Sequence, residues 1–145
     1  MSRDLEWLLI RKYNSNVVKR LPAGPLFSKE AGNLLNIHSH KYSGLANSKT
    51  ITIQEDKGVI QIVTRKPKAL PHAVSSGVAK SSLRNRTGPR RALGATSKQF
   101  KSGYRPDLRR AALARTSALL SSQKEKKPRP VKKPRGKKAV AVDST

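Results

Sequence analysis

The chain has no cysteine, which excludes a disulfide scaffold, a Cys-ligated zinc ribbon and an iron–sulfur site. Large apolar groups are sparse as well. The aromatics are Trp7, Tyr13, Phe27, Tyr42, Phe100 and Tyr104 alone, and no uninterrupted aliphatic-aromatic run is longer than Trp7 to Ile10. A bilayer crossing needs roughly 20 apolar residues, so no membrane partner is expected. Asp4 and Glu6 stand where a signal peptide would be basic and then apolar, which points to a soluble intracellular protein. No GxSxG, HExxH or glycine-rich phosphate loop occurs, so catalysis, a bound cofactor and a small-molecule substrate are not expected.

The deepest shortage is of negative charge. Eight acids face 32 Lys and Arg, for a net charge of +24. The excess is uneven: residues 1–64 hold nine basic and five acidic side chains, whereas residues 65–145 hold 23 basic and three acidic. Self-repulsion at that density opposes a compact state unless a polyanion is bound, and a nucleic-acid backbone is the natural one. Charge alone leaves RNA and DNA both open, including a histone-like DNA-binding role.

Within the less basic part, Leu5, Leu8 and Leu9 at i, i+3 and i+4 predict a short amphipathic helix. Ser2 is placed to cap it, with Asp4 and Glu6 at its positive dipole end. Val17 to Leu21 and Leu26-Phe27 read as short extended segments. Glu30 to Asn47 reads as a loop rich in Asn, Ser, Gly and His, anchored by Leu34, Leu35 and Ile37. The clearest pattern is Thr50–Ile53 and Val59–Thr64, two alternating β-branched runs around Glu55-Asp56-Lys57-Gly58, which predicts a hairpin. Its Ile51–Ile53 face is expected to pack on the first helix.

The expected architecture is therefore α+β: a small antiparallel sheet with an N-terminal helix, followed by an extended basic region with one or two helices and a tail that is disordered when free. Residues 1–66 form the head, 67–88 an extended basic linker, 89–122 a basic helical region and 123–145 a Lys/Pro-rich tail. Pro89 to Lys101 is expected to be a helix capped by Thr87. A second helix is expected from Pro106, with Asp107 just inside and Leu108 to Leu120 dense in Ala, Leu and Arg. Past Ser122, nine of the fifteen residues from Lys124 to Lys138 are basic. The interleaved prolines forbid a helix and hold the segment extended along a phosphate track, and its Lys-Lys-Pro-Arg cluster is also compatible with a nuclear import signal.

The candidate nucleic-acid contacts in the helical region are Arg84, Arg86, Arg90, Arg91, Lys98, Lys101, Tyr104, Arg105, Arg109, Arg110 and Arg115. In the tail they are Lys126, Lys127, Arg129, Lys132, Lys133, Arg135, Lys137 and Lys138. The planar guanidinium fork suits paired phosphate oxygens. Phe100 and Tyr104, set among cations, suit stacking on bases, whereas Trp7 sits in the best apolar segment and reads as core. His38 and His40 lack the further ligands of a metal set and read as structural or RNA-facing. Glu55 and Asp56 read as turn acids rather than a catalytic pair.

The stretch from Tyr104 to Leu120, opening Tyr-Arg-Pro-Asp-Leu, resembles the closing helix of family 28e of the eukaryotic large-subunit ribosomal proteins. Leu5-Glu-Trp-Leu-Leu-Ile-Arg-Lys12, Phe27-Ser-Lys-Glu30 and Asn33 to Thr50 are similar to that family in the same order. The resemblance implies a non-catalytic component of the cytosolic 60S subunit, active in translation. It also implies large-subunit rRNA and neighbouring ribosomal proteins as partners, and assembly in the nucleolus. A nucleolar large-subunit assembly factor family shares the N-terminal domain and a similar Leu-Ala-Asn-Ser segment. Its members carry cysteines and long acidic regions, and this chain has neither.

Overall fold

The computed structural model describes residues 2–70, 72–84, 86–101, 103–124 and 128. Helix α1 (Arg3–Ile10) is followed by strands β1 (Val17–Lys19) and β2 (Leu26–Ser28), then β3 (Ile51–Asp56), β4 (Val59–Arg65) and β5 (Val78–Leu83). Helix α2 (Pro89–Lys101), a 3-10 turn (Pro106–Leu108) and helix α3 (Arg109–Ser122) close the order. The mixed α+β class expected from the sequence is what the fold has.

β1 and β2 form a two-stranded antiparallel ribbon, and β3–β4–β5 form an antiparallel meander. The β3–β4 connection is the two-residue turn Lys57-Gly58, with φ of 49° and 78°. Positive φ at both positions is the turn whose twist matches paired strands, and Gly58 meets that demand without steric cost. Alternation then puts Ile51, Ile53, Ile60, Ile62 and Leu83 on one face, all buried, with Ile53 opposite Ile62 and Ile60 opposite Leu83. The other face carries polar Thr52, Gln54, Gln61, Lys80 and Ser82.

The buried face is covered by α2 and α3, which corrects the expectation that α1 covers it. One hydrophobic cluster joins Leu34 and the sheet residues to Ala92, Phe100, Leu108, Ala111 and Ala112, so it crosses residues 66 and 88. α1 buries none of its residues, and Leu5, Leu8 and Leu9 stay exposed. The physical reason is the small side chains of the later helices. Ala92 lies by Leu120 and Thr96 meets Thr116, so α2 and α3 run antiparallel. Ala92, Thr96, Ala112 and Thr116 are all fully buried at their contact. Each threonine hydroxyl bonds the carbonyl four residues back at 3.0 Å, and the two hydroxyls lie 3.3 Å apart, which satisfies both polar groups inside the core.

Other local expectations change in the same way. Ser2 stands at the α1 N-cap, but its side chain makes no capping bond. The first carbonyl of α2 belongs to Gly88, which accepts from Ala92 N, rather than to Thr87. The stretch read as linker supplies β5, which pairs with β4 from Arg65–Val78 to Ile60–Leu83.

The loop from Glu30 to Asn47 is held by its own polar side chains. Buried Glu30 accepts from Ser43 Oγ at 2.7 Å, Gly44 N at 3.0 Å and Asn14 Nδ2 at 3.2 Å. Asn47 Nδ2 donates to the carbonyls of His40 and Ser43. Of the three expected anchors only Leu34 is buried; Leu35 and Ile37 are partly open to solvent.

Candidate nucleic-acid interface

The residues that connect α2 to α3 act first as a clasp. Tyr104 Oη reaches the carbonyls of Arg65 (2.5 Å) and Thr50 (3.2 Å), at the end of β4 and just before β3. Arg105, at φ 48°, donates to the carbonyls of Lys41 (2.8 Å) and Lys49 (3.1 Å) and pairs with both carboxylate oxygens of Asp107. A non-glycine residue in the left-handed region is uncommon, and here the four donated bonds hold it. The Arg105 hydrogen bond keeps the Asp107 carboxyl below the usual carboxylate range, while burial pushes the Tyr104 phenol up. Phe100 is buried in the core, so its ring does not offer the stacking platform expected of it. Tyr104 and Arg105 are half-buried and occupied within the fold.

The remaining expected cations are placed differently. Arg84, Arg86, Arg90, Arg91, Lys98, Arg109 and Arg110 are exposed. Arg109 donates to Ser97 Oγ at 3.1 Å, and Arg115 is half-buried with no partner for its Nε. Lys101 ends α2. Lys126, Lys127, Arg129, Lys132, Lys133, Arg135, Lys137 and Lys138 lie outside the described residues.

Arginine pairs open both core helices: Arg90 and Arg91 follow Pro89 in α2, and Arg109 and Arg110 begin α3. Neither first turn contains an acid. A helix N-terminus carries partial positive charge, and cations there are unfavourable by roughly 0.3–1 kcal/mol each when exposed. The placement is the reverse of what an isolated helix prefers and fits one that meets external anions. Because α2 and α3 are antiparallel, the two pairs lie at opposite ends of the helical layer.

A second group of side chains lay outside the sequence expectation. Trp7 does not enter the core. Its indole stacks on His40 at 5.6 Å between centroids and lies tilted against His38 at 5.0 Å. His38 Nε2 donates to Arg11 O at 2.8 Å, and His40 Nδ1 lies 3.7 Å from Asp4. In the sequence only the two-residue spacing of His38 and His40 marked this stack. Among the described residues no three His, Asp or Glu side chains gather as metal ligands, and no helix is long and apolar enough to cross a membrane.

A helical hairpin on one face of a three-stranded meander, with a small ribbon beside it and arginines at its helix starts, defines the class: a small basic α+β protein. The sequence matches the ribosomal L28e protein family over residues 5–122, and the chain belongs to that family. It is 32% identical over 130 residues to the large ribosomal subunit protein eL28 of Schizosaccharomyces pombe, spanning 88% of this chain and 96% of that protein. To the protein of the same name from Dictyostelium discoideum it is 35% identical over 130 residues, spanning 86% and 93%. The chain is a structural ribosomal constituent and not an enzyme.

Proposed function

We propose that the protein is a structural component of the large subunit of the cytosolic ribosome, fixed to large-subunit rRNA through phosphate and shape contacts and to neighbouring ribosomal proteins. In this reading it joins the subunit in the nucleolus. The observation that carries the RNA contact is the pair of arginine-headed helices, each exposing guanidiniums at a helix start; the acid just ahead of α3, Asp107, is already paired with Arg105. Arg84 and Arg86, both exposed, precede α2 and add cations near its start. Lys98 and Arg115 add further cations on the helical layer, and the Lys/Pro-rich tail adds more lysines and arginines for phosphate contact. Contacts of this kind fix position and read little sequence.

The test is sedimentation and salt titration. The protein should travel with large subunits and polysomes at low salt. Its release should follow a log–log salt slope that falls by roughly 0.7–0.9 for each phosphate contact removed. Arg90→Gln and Arg91→Gln together should flatten that slope, as should Arg109→Gln with Arg110→Gln. Presence on nuclear precursors but absence from polysomes would instead identify an assembly factor, and retention on chromatin after RNase would identify a DNA-binding protein.

A further inference from the structure

The N-terminal part of the chain forms a groove lined by none of the arginines that open α2 and α3. It lies between the C-terminal end of α1 and the β1–β2 ribbon, opens to solvent over about 530 Å³, and is lined by Trp7, Tyr13 and His38 with Arg11, Lys12 and Lys19. That volume falls in the range of small-ligand clefts, roughly 300–1,000 Å³. No acidic side chain lines it, and among the described residues none of its three cations is in an ion pair. Tyr13 is 87% exposed although it is one of only six aromatics in the chain. The His38–Arg11 hydrogen bond ties the end of α1 to the loop after β2, so the walls are set before anything binds.

We infer that this groove holds one unpaired nucleotide of RNA, its base stacked on Tyr13 and its phosphates met by Arg11, Lys12 and Lys19. The inference rests on the rRNA-binding reading above and names a distinct site for it. An aromatic face in a cationic cleft selects a splayed-out base, because bases inside a duplex have both faces already stacked. Lysines and an arginine around one ring supply the phosphate contacts that such a base brings with it. A duplex would meet the rim of the cleft with its backbone and leave the Tyr13 ring unused.

The experiment uses assembled subunits carrying a photo-crosslinking phenylalanine analogue at position 13 or, separately, at position 110. Position 13 should crosslink to large-subunit rRNA at a nucleotide that is unpaired. In subunits with Tyr13→Ala, that nucleotide should become roughly fivefold or more reactive to base-modifying probes, as loss of one stacked base implies. Tyr13→Phe, which keeps the ring, should leave the reactivity unchanged. Crosslinks from position 13 to protein alone, to a paired nucleotide, or to nothing while position 110 reaches rRNA would overturn the inference and leave the rRNA-binding reading standing. Failure of both positions to reach rRNA would overturn both.

Discussion

Replacing Tyr104 with Phe removes one oxygen and separates a structural role from a nucleotide-stacking one. The phenol carries a single proton, so it serves one carbonyl at a time, and the 2.5 Å contact to Arg65 O is the shorter of its two. Thr50 O keeps the backbone N–H of Arg65 at 3.1 Å when the hydroxyl is gone. The loss is therefore that of one net hydrogen bond, about 0.5–1.5 kcal/mol. For a chain of this length that corresponds to a fall in Tm of about 2–7 °C. Tyr104→Ala also strips a half-buried ring from the edge of the core, and should cost about 2–4 kcal/mol. Thermal unfolding by circular dichroism gives both values, and RNA binding is compared at a temperature where all three proteins are folded. Both variants should then bind RNA like the parent. The reasoning fails if Tyr104→Phe melts within about 1 °C of the parent while Tyr104→Ala, still folded, loses RNA affinity.

Two further predictions concern the same core. Gly44→Ala should be severely destabilising, because a Cβ there would lie 1.9 Å from the Ala31 carbonyl oxygen and within 3.1 Å of Gly32 Cα; a Tm equal to the parent's would contradict the packing of the Glu30 loop. The clasp should also define a pH window. Asp107 has a lowered pKa, so its contribution is complete above the ordinary carboxylate range and is lost as pH falls through the folded value. Tyr104 has a raised pKa, so its contribution is complete below about pH 10 and is lost as pH rises through the folded value. Asp107→Asn should flatten the acid limb of Tm against pH and leave the alkaline limb alone; parallel acid limbs would refute the assignment.

The hairpin was legible because β3 and β4 alternate cleanly and Lys57-Gly58 supplies the turn that their twist requires. The extents of α2 and α3 were legible from Pro89, Pro106 and the Ala, Leu and Arg content between and after them. β5 was not, because it is an edge strand whose interior, Ala79 to Ser82, is exposed and only Leu83 is buried. A strand that buries so little leaves no alternation to read. The partner of the hairpin face was misjudged because α1 has the stronger leucine stripe, whereas the true cover works through alanine and threonine. Small residues carry a faint hydrophobic signal, yet they let two backbones approach closely.

The candidate site divides along the same line. Exposed arginines at the starts of α2 and α3 were visible as local charge. The occupation of Tyr104 and Arg105 was not, since the main-chain carbonyls they reach lie 39 to 64 positions earlier. An aromatic–arginine pair amid lysines looks the same in sequence whether it grips a base or the chain's own backbone. The Tyr13 groove went unseen for a related reason: its walls come from four separate segments.

The clasp also bears on how the chain comes to exist. During vectorial synthesis Lys41, Lys49, Thr50 and Arg65 emerge long before the residues that fasten them, and the isoleucine face of the meander waits uncovered until Ala112 has left the exit tunnel. Nascent chains in that interval expose an apolar sheet beside a growing excess of cations, a combination that invites capture by stray polyanions. Closure of the fold and the appearance of the lysine-rich stretch past Ser122 therefore come close together in synthesis, so the isoleucine face is covered at nearly the time the densest run of cations emerges.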